Sequence, residues 1–208
     1  MRMLTVLFVA VTLTTMASAA TFEELIERGD PVMTDAPAGA IVVKGQPAAT
    51  IIVRERPTQD LLFAASTLQD YVRQITGANL PVAAAADEVT GNRILLGLSD
   101  ACRPLDLLRG LHEEGYILRS DGGDLIVCGG SDRGTIFGVA ALLHELGVRW
   151  YVPGDDLGTC VPEMSDIVLA GIDRRHEPSF PMRWIGAGSD WAILNGQNCN
   201  GSELEAGF

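Results

Sequence analysis

Apolar residues recur every three or four positions between Thr58 and Thr76, and that spacing predicts an amphipathic helix. Leu61, Ala64, Ala65, Leu68, Tyr71, Val72 and Ile75 share one arc, while Gln59, Asp70, Arg73 and Gln74 fall on the other side. Pro57 and Thr58 mark its start, and Gly77 stands where a C-terminal cap belongs. Phe63 lies off the apolar arc, which leaves open a lone exposed aromatic or a contact with another domain. A second helix is expected from about Asp132 to Leu146, capped by Ser131 or Asp132 and stopped at Gly147. Its apolar residues cover more than half the circumference, as in a helix buried on most sides. Gly134, Gly138 and Ala141 form a small-residue flank on it that lets a neighbouring backbone come close.

Shorter β-branched or apolar runs predict strands at 41–43, 50–53, 93–96, 116–119, 125–128, 148–152 and 167–169. Ser120-Asp121-Gly122-Gly123 signals a tight hairpin between the fourth and fifth of these. The order β-β-α-β-β-β-α-β-β is neither a strict βαβ alternation nor all-β. It predicts an α+β fold: a mixed, largely antiparallel sheet with two helices packed on one face. Ahead of it, residues 20–40 read as a lead-in segment with one weak helix near Phe22 to Arg28. Behind it, the pattern changes at His176, where Pro178 to Gly186 reads as a linker running into a new strand.

Residues 1–19 carry a different signal. Arg2 is followed by an apolar run from Leu4 to Leu13 and by the small-residue pattern Ala17-Ser18-Ala19, the signature of a cleaved export leader. The run is shorter than the roughly 20 apolar residues that span a bilayer. The expectation is a secreted or periplasmic protein with no membrane anchor. Four segments follow: signal peptide 1–19, lead-in 20–40, α+β domain 41–175, and 176–208 as linker and first strand of a further module.

Composition narrows the partners. An apolar share of 47% can build a core without help from disulfides. A net charge of −12 excludes nucleic acid as a partner, since binding there rests on Lys and Arg neutralising phosphates, and suits anionic lipid poorly. A neutral soluble or polymeric ligand fits better. The cysteines (Cys102, Cys128, Cys160 and Cys199) form no C-x-x-C pair and no Cys/His cluster, so neither metal nor cofactor is expected. Cys128 sits in an apolar run and reads as a buried thiol, while a Cys102–Cys160 disulfide stays open.

Candidate chemistry is sparse. Gly129-Gly130-Ser131-Asp132-Arg133-Gly134 follows a strand and opens a helix, yet it lacks the lysine of a phosphate loop, and Asp132 would repel a phosphate. It reads as turn and cap. His144-Glu145 opens like a zinc-peptidase motif, but Val148 stands where the second histidine is required. The acid pairs Glu113-Glu114 and Asp155-Asp156 read as solvated loop charges, and no nucleophile elbow is present. No catalytic residue is assigned.

Two stretches carry a resemblance. Thr76-Gly77-Ala78-Asn79-Leu80-Pro81 closes the first helix, and Gly147-Val148-Arg149-Trp150-Tyr151-Val152-Pro153-Gly154 follows the second. In that order, across roughly Ile41 to Asn195, they resemble the N-terminal accessory domain of secreted glycoside hydrolases. Family 20 β-hexosaminidases and α-glucuronidases are among these. The resemblance implies a non-catalytic domain followed by a C-terminal (β/α)8 barrel that holds the catalytic residues. Such a barrel needs about 200–250 residues, so the chain is expected to be an accessory domain with only the barrel's beginning, whether fragment, truncated gene or remnant.

Pro178-Ser179-Phe180-Pro181-Met182-Arg183 resembles the P-x-F-x-x-R junction of that family. The resemblance implies that Arg183 reaches sugar hydroxyls, with Asp190, Trp191 and Asn195 as further substrate contacts. An interdomain salt bridge through Arg183 is the other reading. Trp184 stands where the hexosaminidases have glycine, which leaves the sugar open. The expected function is support of a glycoside hydrolase acting in carbohydrate metabolism. The alternative is a stand-alone carbohydrate-binding or interaction module that stacks sugars on exposed Trp150, Tyr151, Trp184 and Trp191.

Overall fold

The computed structural model describes residues 21–84, 89–97, 106–153, 158–183 and 190–197. The expected leader, Cys102, Cys199, Asp155-Asp156 and Trp184 lie outside these residues.

The lead-in is more ordered than its sequence suggests. Helix α1 (Phe22–Glu27) begins with a reciprocal cap: the Glu24 amide donates to the Thr21 hydroxyl and the Thr21 amide to the Glu24 carboxylate. It sinks Leu25 fully into the core. The two apolar runs that follow enter different sheets. Strand β1 (Ala40–Val43) turns at Lys44-Gly45 into β2 (Gln46–Pro47), and both join β10 (Ile167–Val168) in a small three-stranded sheet. Strand β3 (Ala49–Ile52) instead belongs to the main six-stranded sheet.

Helix α2 (Gln59–Thr76) has Thr58 as N-cap, its hydroxyl accepting from the Leu61 amide, and left-handed Gly77 (φ 82°) as C-cap. Leu61, Leu68, Val72 and Ile75 are buried as the spacing requires, and half-buried Phe63 packs against the same core. After α2 come β4 (Val82–Ala83), β5 (Asn92–Leu96), β6 (Tyr116–Asp121) and β7 (Asp124–Gly129). A Gly122-Gly123 turn joins the last two. Helix α3 (Asp132–Glu145) follows, with the Ser131 hydroxyl accepting from the Gly134 amide. The short pair β8 (Arg149–Trp150) and β9 (Thr159–Cys160) comes before β10, then β11 (Asp173–His176) and helix α4 (Asp190–Leu194).

The main sheet runs β11-β6-β7-β5-β3-β4. Five of the eight strand pairings among the described residues are antiparallel. The parallel ones, β3–β4, β3–β5 and β5–β7, are gathered at the centre and one edge of this sheet. Alternate strand residues face opposite ways. Ile51, Ile94 and Val127 point into a core shared with α2 and α3, whereas Ile52, Leu95 and Ile126 meet Leu107 and Leu108 on the other side. Two helices therefore cover one face and a loop covers the other. Gln69 is a buried polar residue of α2; its amide bonds the Leu25 and Leu80 carbonyls, fixing α1 and the approach to β4 against the helix.

The glycine-rich segment after β7 is turn and cap. A Cβ on Gly129 would stand 2.2 Å from the Gly134 carbonyl carbon, and one on Gly134 would stand 2.6 Å from the Glu113 and Gly115 carbonyl oxygens. Strand end, helix start and the 112–115 loop thus touch backbone to backbone, an approach only glycine permits. Gly138, one turn on, rests on Tyr116 and Val127. Asp132 pairs with Arg54 and Thr58, joining the starts of α2 and α3.

Candidate functional site

Beyond β11 the chain doubles back over the outer flank of α3. Residues 177–183 run without helix or strand; the strand expected after them lies largely outside the described residues, and α4 packs on α3. Arg183 fastens this strap. Its Nε donates to the Gly196 carbonyl at 2.7 Å and one terminal nitrogen to the Phe180 carbonyl at 2.9 Å. The other terminal nitrogen meets the Glu114 carboxylate at 2.9 Å. The guanidinium carbon stands 5.4 Å from the centroid of the buried Phe137 ring, a cation–π contact. With the two side chains 20% and 11% exposed, this pair is largely removed from water. Glu114 is therefore not the solvated loop charge its neighbour Glu113 suggested.

Strap, α3 and β6 enclose a cleft of about 410 Å3. Phe137, Ala140 and Leu194 give it an apolar floor, and Phe180 stands at its side with 69% of its surface exposed. Tyr116 and His176, partners in the β6–β11 register, stack at 5.0 Å and 28° to form one wall. Burial raises the Tyr116 pKa above that of a free phenol; the Arg174 charge opposes this and Glu145 reinforces it. The hydroxyl stays protonated in neutral solution.

His144 also lines the cleft, tilted against Trp150 at 5.1 Å. Its pKa is lowered, first by burial and then by Arg149, with Glu145 opposing, and its buried Nε2 has no partner among the described residues.

Of the four residues expected to touch substrate, Arg183 and Asn195 meet at this cleft, where the Asn195 amide nitrogen donates to the Trp191 carbonyl at 2.9 Å. Asp190 is exposed at the start of α4 and does not line it. Trp191 turns inward, its indole donating to the Trp150 carbonyl at 3.1 Å. Trp150 is not an exposed platform. It is 5% exposed, meets Tyr71 edge to face at 5.3 Å and donates to its hydroxyl at 2.5 Å. Period-two alternation from fully buried Val148 to Trp150 could have placed it inside. Tyr151 does point outward, 70% exposed.

Sequence reasoning missed Tyr116, His176 and Phe180 as cleft residues. The only available signal was a set of aromatic residues near strand ends. Cys128 is buried as expected, its thiol against the Gly97 carbonyl, and Cys160 is exposed with a free thiol. Among the described residues no group of three or more His, Cys, Asp or Glu side chains could hold a metal ion, and no helix is long and apolar enough to cross a membrane.

Residues 41–142 match the family described as glycosyl hydrolase family 67 N-terminus. An α-glucuronidase of Hypocrea jecorina is 27% identical over 154 residues, which are 71% of this chain but 16% of that protein. Among solved structures, a family GH115 4-O-methyl-α-glucuronidase with specificity for decorated arabinogalactans superposes with a TM-score of 0.56 at 20% identity. That match covers 69% of this chain and 19% of the other, and it speaks to the fold alone. A Streptomyces plicatus β-hexosaminidase reaches a TM-score of 0.34 at 24% identity over 54% of this chain and 19% of its own, too partial to weigh. The chain thus spans less than a fifth of the proteins it matches.

Proposed function

We propose that this chain, whose residues 41–142 match a glycosyl hydrolase N-terminal family, is an accessory domain that carries and orients a separate catalytic module rather than cleaving glycosides itself. The proposed setting is carbohydrate breakdown outside the cytoplasm, with a (β/α)8 barrel as the module. The observation that carries this reading is the strap. The segment that leaves the domain after β11 is tied by Arg183 to Glu114 and to two carbonyls, so whatever continues from it starts from a fixed direction. Arg183 is accordingly a positioning residue. Its guanidinium donates to the Gly196 and Phe180 carbonyls and to the Glu114 carboxylate.

Hydrolysis needs two carboxyl groups facing each other about 5–9.5 Å apart across a sugar. The cleft offers Glu114, already neutralised by a cation. The purified chain is expected to release no nitrophenol from aryl glycosides, α-glucuronides included. Turnover that disappears in Glu114→Gln would defeat the proposal. The leader pattern in residues 1–19 supports export. A reporter enzyme joined after Ala40 is expected outside the cytoplasm, and its retention inside would remove that part.

A further inference from the structure

The cleft beside the strap has a composition that the positioning role does not require. Structural contacts already occupy its two charges: Glu114 and Arg183 neutralise each other at 2.9 Å. What remains open is neutral. The Tyr116 and Ser179 hydroxyls, the His176 ring nitrogens and the Asn195 carbonyl oxygen have no hydrogen-bond partner among the described residues, and all four side chains line the same space.

These groups are arranged around flat and apolar surfaces. The Tyr116–His176 stack stands on one side, Phe180 on another, with Phe137, Ala140 and Leu194 below. A volume of about 410 Å3 falls within the roughly 300–1,000 Å3 of small-molecule sites, which pair an apolar lining with a few converging polar groups. The wall is also held in place. The Phe180 carbonyl is bonded by Arg183, and β6–β11 pairing fixes the register of Tyr116 with His176.

An anion would find no unpaired cation here, and a cation no unpaired carboxylate. The matching ligand is a compact neutral ring with hydroxyls around its rim and a C–H face that can lie on an aromatic plane. We propose that this cleft is a binding site for a neutral pyranose, separate from any catalytic centre and contacted by Phe180, Tyr116, Ser179, His176 and Asn195. It would hold a sugar unit on the accessory domain itself. The proposal does not depend on whether the domain also orients a catalytic module, because the glycosidase assay and the binding assay fail independently.

The test is a titration of the isotopically labelled chain by nuclear magnetic resonance, using methyl β-D-glucopyranoside and D-xylose as neutral probes and sodium D-glucuronate as the charged one. Saturable shifts confined to the backbone amides of residues 114–117, 176–183 and 194–196 are expected with a neutral sugar, and much weaker ones with glucuronate. Phe180→Ala, which removes an exposed ring and should not disturb folding, is expected to weaken binding about tenfold. Tyr116→Phe keeps the stack, loses one hydroxyl and should weaken binding about fivefold. Absence of saturable shifts, unchanged binding in both variants, or glucuronate binding as tightly as the neutral sugars would each overturn the assignment.

Discussion

The two halves of the main sheet are held by different forces. Around β3, β5 and β7, under α2, stability comes from apolar burial: Ile51, Leu68, Ile94, Leu96 and Val127 are all 1% exposed or less. Around β6 and β11, under the strap, the contacts are an ion pair, captured carbonyls and stacked rings. Apolar burial is insensitive to direction, whereas charge-assisted bonds are directional and fail when one partner is changed. The first half is a platform. The second half holds the strap against it by directional bonds.

That contrast can be broken most severely from the platform. Leu68→Ala removes a buried side chain between helix and sheet and should lower global stability by about 2–5 kcal/mol, measured by urea unfolding. A loss under 1 kcal/mol would mean the apolar half is not the platform. Glu114→Gln should cost less, about 1–2 kcal/mol, because the pair retains some contact with water. The damage should be local: faster amide exchange and protease cutting across 178–197, with the exchange of α2 unchanged. Equal loosening of both regions would erase the distinction.

The smallest effect concerns acid. Because the folded chain holds His144 below its ordinary pKa of 6.5, the unfolded chain binds a proton that the folded chain resists. Its stabilising contribution is full above about 6.5 and declines as the pH falls from there through the lowered value. The melting temperature should drop more between about pH 7.5 and pH 5 for the natural chain than for His144→Gln. Identical drops would show that His144 is solvated in the folded state.

Much of the platform was legible in the sequence because it is written in period and punctuation. Thr58 and Gly77 bound α2, Ser131 caps α3, and Gly122-Gly123 turns the hairpin as their chemistry predicts. The strap flank was less legible. Strand β11 consists of Asp173, Arg174, Arg175 and His176, all exposed, so no apolar alternation announces it. Its pairing with β6 comes from backbone bonds and the single Tyr116–His176 stack. The split of adjacent runs 40–43 and 49–52 between two sheets depends on β10, more than a hundred residues away. The site showed the same limit. Junction residue Arg183 was recognisable, but its partner Glu114 is 69 positions distant, and only folding brings them together.

The exposed strand at the end of the sheet has a consequence for how the molecule behaves in company. An edge with unpaired backbone groups invites another chain to add on and begin a growing fibre. Here that rim carries Arg174 and Arg175, engaged with Glu145 and Glu177, and an identical molecule arriving antiparallel would bring arginine against arginine. A second strand could dock on this border only by stripping these ion-paired side chains of water and of their partners, a cost that disfavours growth from it.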